Sequence, residues 1–162
     1  MSDKIQGKNN YLIGIISDTH GRLPQSVLMA FKDADLIIHA GDIGDPKIIE
    51  ALEKIAPTRA IKGNMDMGNW TRQLRQNETI KINHQRLYVI HDIYQLDIKT
   101  EPDIYQAVIY GHTHRPQVEK QGGVLFINPG SAVQPRFGYP PSVALLEIKD
   151  DAMSARLVDL AR

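Results

Sequence analysis

Two side chains of metal-binding type stand just after the apolar segment Ile13–Ile16. Asp18 and His20 lie two residues apart, and residues at this spacing on an extended chain point to the same side. The pair could therefore bind one metal ion. Taken alone it is a weak signal, because an Asp and a His at this spacing also occur by chance.

Three further β-type segments each end in a glycine that is followed by a candidate ligand. A chain that leaves a strand and passes close to an ion needs a residue without a Cβ atom, which accounts for the glycines. In open α/β sheets ligands bind beyond the carboxyl ends of the strands, so the side chains after these segments should converge. His91, which follows the apolar segment Leu87–Ile90, joins them. The predicted ligand set is Asp18, His20, Asp42, Asn64, His91, His112 and His114.

Such a mixture of imidazole, carboxylate and amide ligands suits divalent ions such as Mn²⁺, Fe²⁺ and Zn²⁺. Seven ligands are too many for one ion but suit two, and Asp42 is the predicted bridge between them. Two ions about 3.5 to 4 Å apart hold both ends of an in-line displacement and acidify a water between them. Because only Asp18 and Asp42 are anionic, the site keeps a positive charge that favours a phosphate ester over a neutral amide or sugar.

The bulk composition limits the alternatives. The 162 residues fit a single domain, with 19 basic and 19 acidic residues and no run of like charge, so a nucleic-acid partner is disfavoured. Cysteine is absent, which excludes thiolate ligands and disulfides. No segment has the length of a membrane span, so a cytoplasmic protein without a membrane partner is expected. A homo-oligomer is left open.

The order of predicted elements indicates an α/β fold. Residues 12–61 read as β-α-β-α-β, which requires parallel strands with helices packed over them. The second half is richer in antiparallel hairpins, so two sheets packed together with helices outside are expected. Residues 1–10 lack periodicity and are predicted to be a flexible arm, while residues 11–162 form the single domain.

Six short motifs in this order resemble those of the calcineurin-like metallophosphoesterases, in particular their small single-domain bacterial and archaeal branch of phosphodiesterases. The resemblance covers nearly the whole chain. The motifs are S-D-T-H at 17–20, A-G-D at 40–42, G-N-M-D at 63–66, the lone His91, G-H-T-H at 111–114 and N-P-G-S at 128–131. It implies a four-layer α/β/β/α sandwich of two mixed sheets. It also implies hydrolysis of a small phosphate ester by a hydroxide that bridges two divalent ions.

The same resemblance assigns a role to each predicted ligand. Mn²⁺ is the favoured metal, with Fe, Zn or Ni as alternatives. The first ion would be held by Asp18, His20, Asp42 and His114, and the second by Asp42, Asn64, His91 and His112. The residues expected to act directly in catalysis are Asp42, Asn64, His91 and His112. The N-P-G-S turn is expected to support the site from below.

Two positions depart from the family pattern. Met65 stands where many members have a His that protonates the leaving oxygen, and Asp92-Ile93 replaces a Gly-His pair. Because a general acid contributes typically about 10² to 10⁴ in rate, the enzyme should favour substrates with good leaving groups. Otherwise solvent, Asp92 or His39 must supply the proton, and the sequence does not choose among these three.

Several side chains have two readings. His39 is equally consistent with a group that orients the site and with a satisfied core histidine. Arg115 and Arg136 could bind a substrate phosphate, although exposed arginines are usually only solvated.

For the whole protein, a binding scaffold on the same fold, as in the retromer scaffold subunit, is the alternative function. A nuclease is a weaker third option, because the neutral charge balance predicts no basic groove.

Overall fold

The computed structural model describes residues 4–161, without the side chain of Lys4. This part of the chain forms two β-sheets packed face to face. The strands are β1 (Lys4–Ile5), β2 (Asn10–Ile16), β3 (Leu36–His39), β4 (Thr58–Ala60), β5 (Asn77–Ile82), β6 (Gln85–Ile90), β7 (Ala107–Ile109), β8 (Gln117–Gln121), β9 (Val124–Asn128), β10 (Ser142–Lys149) and β11 (Ala152–Asp159). The α-helices are α1 (Gln25–Ala30) and α2 (Pro46–Glu53).

The five-stranded sheet has the order β11-β10-β2-β3-β4. Strands β2, β3 and β4 are parallel, with α1 and α2 as the connections between them. Helix α2 begins with Pro46 in its first turn, and Asp45 caps it by accepting a hydrogen bond from the Lys47 N–H at 2.9 Å. The predicted β-α-β-α-β order of the first half is therefore confirmed, and the hairpin β10–β11 completes the sheet.

The six-stranded sheet has the order β1-β5-β6-β7-β9-β8. Its hairpins β5–β6 and β8–β9 are those that the turn signals predicted, and β6, β7 and β9 run parallel. Of the predicted flexible arm 1–10, residues 1–3 lie outside the described part of the chain, but Lys4 and Ile5 are not loose. Lys4 and Ile5 pair in parallel with Lys81 and Ile82 and so form an edge strand of the sheet.

Apolar side chains fill the space between the two sheets and cover both outer faces. Ile13 and Ile15 face Ile80 and Leu87 in the central core. On the outer face of the five-stranded sheet, the helices contribute a second core around Phe31. The outer face of the other sheet is covered by the segment 93–106, which contains a short 3₁₀ helix. The four-layer α/β sandwich is therefore confirmed, with an irregular segment as one outer layer.

Neither α1 nor α2 is long or apolar enough to cross a bilayer, and the same holds for every other helix within residues 4–161.

Candidate metal centre

The predicted ligands meet at one edge of the sandwich, in the loops that follow the carboxyl ends of five strands. The loop after β2 carries two of them, the loops after β3, β4 and β6 carry one each, and the loop after β7 carries two. These five strands come from both sheets, and each is parallel to a neighbour at this edge. The seven side chains brought together are Asp18, His20, Asp42, Asn64, His91, His112 and His114.

Asp18, His20 and His114 form one cluster of ligand-type atoms. The Nε2 atom of His114 lies 3.2 Å from Asp18 Oδ1 and 3.5 Å from His20 Nε2. The Nδ1 atom of His114 is 2.6 Å from the Gln134 carbonyl oxygen, which can only accept, so Nδ1 is the protonated nitrogen. This leaves the Nε2 lone pair free for an ion.

Asp42, His91 and His112 form the second cluster. His91 Nε2 lies 3.2 Å from Asp42 Oδ2, and His91 Nδ1 donates to the Ala40 carbonyl at 2.7 Å, so its Nε2 is also the free nitrogen. Asn64 joins this cluster, because its Oδ1 is 3.2 Å from His112 Nδ1. The two clusters adjoin one another, since His91 Nε2 is 3.8 Å from Asp18 Oδ1.

Two buried atoms at this junction have no hydrogen-bond partner among the described residues. They are Asp18 Oδ1 and His91 Nε2. His91 Nε2 lies close to Asp42 Oδ2, but the contact does not meet hydrogen-bond geometry. Because an unsatisfied buried polar atom is costly and rare in proteins, these two atoms indicate a missing partner. A divalent cation fits both, since one is a carboxylate oxygen and the other an imidazole nitrogen with a free lone pair.

Two of the glycines that precede ligands are required by close packing. A Cβ atom at Gly63 would collide with the backbone N and Oδ1 of Asp42. At Gly111 it would collide with Ser17 Oγ and lie 2.7 Å from Asp18 Oδ2. The glycines thus let the loops from different strands approach within contact distance. The predicted reason was close approach to an ion, whereas the contacts in the structure are between the loops themselves.

The backbone at most of the ligands is strained. Asp18, His20, Asp42, His112 and His114 have φ angles between 45° and 70°, the left-handed region. A residue with a Cβ atom pays roughly 1 kcal/mol or more for this conformation, although Asp and His tolerate it better than most. Strain of this kind persists where the surrounding structure enforces it, and it concentrates at functional sites.

The charges of the site shift its pKa values in the directions expected for carboxylates paired with imidazoles. Burial alone would raise the pKa of Asp42, but the adjoining His91 ring and the Met65 N–H hold it below the usual value. The pKa of His91 is raised, because Asp42 and Asp18 outweigh the opposing effect of burial. The Asp18 carboxylate likewise raises the pKa of His114. Both histidines therefore face negative charge that a cation could compensate in place of a proton.

Asp18 is held by residues that the ligand pattern did not single out. Its Oδ2 accepts hydrogen bonds from Ser17 Oγ at 2.5 Å and from the His112 N–H at 3.1 Å. Ser131 Oγ donates to the Asp18 carbonyl at 2.8 Å. Asn128 Nδ2 donates to the Gly111 carbonyl at 3.1 Å. The N-P-G-S turn therefore supports the site from below, and the motif itself was the signal.

A buried carboxylate, Asp66, links the loop after β3 to the loop after β4. It accepts the Gly44 N–H on Oδ1 and the Gly63 N–H on Oδ2, both at 2.9 Å. The sequence contained this residue within the G-N-M-D motif, but without a role. Its position shows that the carboxylate fixes the backbone on both sides of the second cluster.

His39 is completely buried and both ring nitrogens are hydrogen bonded. Its Nδ1 accepts the Gly41 N–H at 3.1 Å, so in the neutral ring Nε2 carries the proton and donates to Thr19 Oγ1 at 2.9 Å. Burial lowers the pKa of His39 to about 3. Both interpretations of His39 therefore hold. It is a core histidine with its hydrogen bonds satisfied, and those bonds connect the loops that carry Asp18 and Asp42.

The remaining residues singled out from the sequence lie around this centre. Met65 is 57% exposed and its backbone N–H donates to Asp42 Oδ1 at 2.8 Å, while Asp92 Oδ2 lies 3.9 Å from His112 Nε2. Arg115 and Arg136 line a cavity next to His112.

Residues 11–151 match the family model of the calcineurin-like phosphoesterase superfamily domain. Since the match extends over most of the chain, the chain belongs to this family. A probable metallophosphoesterase of Methanothermobacter thermautotrophicus is 33% identical over 162 residues, which span 91% of this chain and 91% of that protein. A phosphodiesterase of Methanocaldococcus jannaschii is 30% identical over 156 residues, which span 85% of this chain and 92% of that protein.

Solved structures show the same fold. A structure of an archaeal phosphodiesterase has a TM-score of 0.76 at 26% identity and covers 91% of this chain and 99% of its own. Wild-type Vps29 from Entamoeba histolytica, in complex with Zn²⁺, has a TM-score of 0.71 at 23% identity, covering 92% of this chain and 99% of its own. At that identity the second likeness concerns the fold alone.

Proposed function

We propose that the chain is a dinuclear metal-dependent phosphoesterase that hydrolyses small phosphate esters, with diesters preferred. The observation that carries the proposal is the junction of the two Asp/His clusters. There, Asp18 Oδ1 and His91 Nε2 are buried, lie 3.8 Å apart and have no hydrogen-bond partner among the described residues. The family and its members named as phosphodiesterases support the reaction class.

We assign one ion to the cluster of Asp18, His20 and His114, and the other to His91, His112 and Asn64. Asp42 is the shared ligand in this proposal. When bound, two divalent ions would acidify a water and hold both ends of an in-line displacement, and Mn²⁺ is the metal we favour. The protein's own contribution is to hold the ligand nitrogens in one tautomer, which the carbonyls of Ala40 and Gln134 do.

The charge balance supports an anionic substrate. Two dications exceed the charge of Asp18 and Asp42 by about two positive charges. A phosphodiester carries one negative charge and can accept hydrogen bonds from Asn64 and His112, which lie at the rim of the site. In this proposal the Asn64 amide stabilises charge that develops on the phosphoryl oxygens.

Of the three proton sources that the sequence left open, His39 is the poorest. It is completely buried and its only ring proton is donated to Thr19. Asp92 lines the cavity beside His112, so Asp92 and solvent are the two proton sources that we retain. Because Met65 cannot donate a proton, we expect aryl esters with acidic leaving groups to be hydrolysed much faster than alkyl esters.

The test is an assay of protein that has been stripped with a chelator and then supplied with Mn²⁺, Fe²⁺, Zn²⁺ or Ni²⁺. We expect turnover of bis(p-nitrophenyl) phosphate with Mn²⁺, and slower turnover of p-nitrophenyl phosphate. Asp42→Asn should lower kcat/KM at least about 100-fold, because it weakens the shared ligand. Asp150→Asn is the matched control, since it removes the same charge from an exposed turn far from the site. Absence of turnover with all four metals would refute the proposal.

A second candidate is a binding scaffold, which the likeness in fold to Vps29 favours. The presence of all seven ligand-type side chains weighs against it. Retained metal does not separate the two candidates, because the Vps29 structure itself contains Zn²⁺. Turnover separates them, since a scaffold should not hydrolyse bis(p-nitrophenyl) phosphate with any of the four metals.

A further inference from the structure

Two cavities flank the metal centre, and His112 forms a wall of both. One, of about 480 Å³, is lined mainly by polar side chains such as Asn64 and Asp92. The other, of about 460 Å³, has a different character and is called the aromatic–arginine cavity below. Its defining residues are Tyr94, Tyr110, Arg115, Arg136 and Phe137.

Two aromatic side chains that line the aromatic–arginine cavity are largely exposed to solvent instead of being packed in a hydrophobic core. Tyr94 is 85% exposed and Phe137 is 67% exposed, although both border the cavity. The guanidinium carbon of Arg115 lies 4.4 Å from the centroid of the Phe137 ring. Exposed aromatic rings next to a stacked guanidinium form a surface that suits a flat, electron-rich ring system.

The loop that carries Arg136 and Phe137 is anchored to the metal centre. Ser131 Oγ accepts the Gln134 N–H at 2.8 Å, and the Gln134 carbonyl accepts a hydrogen bond from His114 Nδ1 at 2.6 Å. Phe137 and Gly138 have φ angles of 59° and 78° in a tight turn that the Tyr139 N–H closes by donating to the Arg136 carbonyl at 3.1 Å. The cavity is therefore positioned relative to the ligand His114 rather than by a free loop.

The charge of the cavity selects an anion. In the described part of the chain its lining includes the two arginines and neither Asp nor Glu. Arginine binds phosphate oxygens through a planar, two-pronged donor group. Rings and cations together match a ligand that combines a planar aromatic group with a phosphate beyond the one at the metal centre.

We infer that the aromatic–arginine cavity binds the nucleoside part of a nucleotide-type phosphodiester whose reacting phosphate lies at the metal centre. The base packs against Phe137 and Tyr94, and Arg115 and Arg136 hold a second phosphate of the nucleotide. This inference rests on the proposed phosphoesterase function and specifies its substrate class. The two are separable, because the cavity can bind a nucleotide whether or not the metal centre hydrolyses it.

The kinetic test compares two esters with the same leaving group, methyl p-nitrophenyl phosphate and thymidine 5′-(p-nitrophenyl phosphate). We expect kcat/KM for the thymidine ester to exceed that for the methyl ester by about 5- to 150-fold, the range of one base–aromatic stack. Phe137→Ser should reduce this ratio at least about 5-fold. Tyr139→Ser is the matched control, because Tyr139 is an exposed aromatic of the same loop that lies outside the cavity.

The binding test uses metal-free protein in the presence of a chelator. Isothermal titration calorimetry should give a lower Kd for thymidine 5′-monophosphate than for thymidine, because the two arginines of the cavity bind the phosphate. The double variant Arg115→Gln, Arg136→Gln should abolish this preference. Arg86→Gln is the control, since Arg86 is an exposed arginine at the start of β6, remote from the loops at the strand ends.

The outcomes distinguish the two claims. If both esters are hydrolysed at similar kcat/KM and Phe137→Ser leaves the ratio unchanged, the inference is overturned while the phosphoesterase function stands. If neither ester is hydrolysed with any metal but the nucleotides bind in a manner that depends on Arg115 and Arg136, the cavity assignment stands without the hydrolase. Equal affinity for thymidine and thymidine 5′-monophosphate in the wild type would refute the role of the arginines.

Discussion

Replacing His39 by Gln tests whether this buried histidine holds the two ligand loops together in its neutral form. The ring accepts the Gly41 N–H and donates to Thr19 Oγ1, which in turn donates to the Ile43 carbonyl at 2.8 Å. Glutamine offers one acceptor and one donor at the end of its side chain, so it can replace both contacts, but it does not titrate. The variant therefore removes the proton equilibrium while it keeps the hydrogen bonds.

The magnitude follows from the pKa of His39, which burial lowers from 6.5 in the unfolded chain to about 3 in the folded protein. Between these values the unfolded state binds a proton that the folded state excludes, so the free energy of unfolding falls as the pH falls. The loss is about 1.4 kcal/mol per pH unit below 6.5. From pH 7.5 to pH 4.5 the wild type should therefore lose about 2 to 3 kcal/mol through this residue.

The assay is urea denaturation with a chelator present, at pH 7.5, 5.5 and 4.5. We expect His39→Gln to lose about 2 to 3 kcal/mol less than the wild type over this range. Other titrating groups, including His91 and His114, are present in both proteins and cancel in the comparison. His84→Gln is the control, because His84 is exposed in the β5–β6 turn and should leave the pH dependence unchanged. Parallel curves for wild type and His39→Gln would refute the reasoning.

Three further predictions concern the loops of the metal centre. Gly63→Ala should lower the free energy of unfolding by about 1 to 3 kcal/mol and the diesterase activity at least about 10-fold, because the new Cβ atom collides with Asp42. Unchanged activity in the ester assay would contradict this prediction. Asp66→Ala leaves the backbone N–H groups of Gly44 and Gly63 without an acceptor, so the free energy of unfolding in urea titrations should fall by about 2 to 4 kcal/mol. A decrease below about 0.5 kcal/mol would show that water replaces the carboxylate. Mn²⁺ at about 100 times its Kd should raise the Tm of the wild type by about 5 to 10 °C in calorimetry; Asp18→Asn should show a clearly smaller shift, and an equal one would remove Asp18 from the site.

The convergence of the seven candidate ligands could be predicted from sequence because its signal is local and repeated. Each ligand lies within a few residues of a strand end, and a glycine marks the point where two loops approach. Pairing of the first strands follows from the alternation of helices and strands, so the convergence of Asp18 and Asp42 required no knowledge of distant contacts. The confirmed parallel register between β2 and β3 is the physical basis of that prediction.

What the sequence did not predict depends on contacts between distant segments. Nothing in Lys4–Ile5 indicates that it pairs with β5, more than seventy residues further along the chain. The N-P-G-S motif predicted a supporting turn but not its partner, which is the Asp18 carbonyl that the Ser131 hydroxyl reaches across 113 residues. Asp66 resembles any loop carboxylate until the structure places Gly44 opposite it. Such residues hold ligands without being ligands, so their chemistry gives no signal of its own.

The strained backbone connects the fold to the proposed chemistry. Five of the seven predicted ligands are in the left-handed region, which costs roughly 1 kcal/mol each relative to a relaxed loop. The hydrogen bonds that enforce it come from neighbouring loops, such as His20 N–H to the Asp42 carbonyl and Asp18 N–H to the Gly41 carbonyl, both at 3.0 Å. Because these hydrogen bonds belong to the fold, the folded chain itself fixes the backbone of the candidate ligands, which is the condition for a preorganised site.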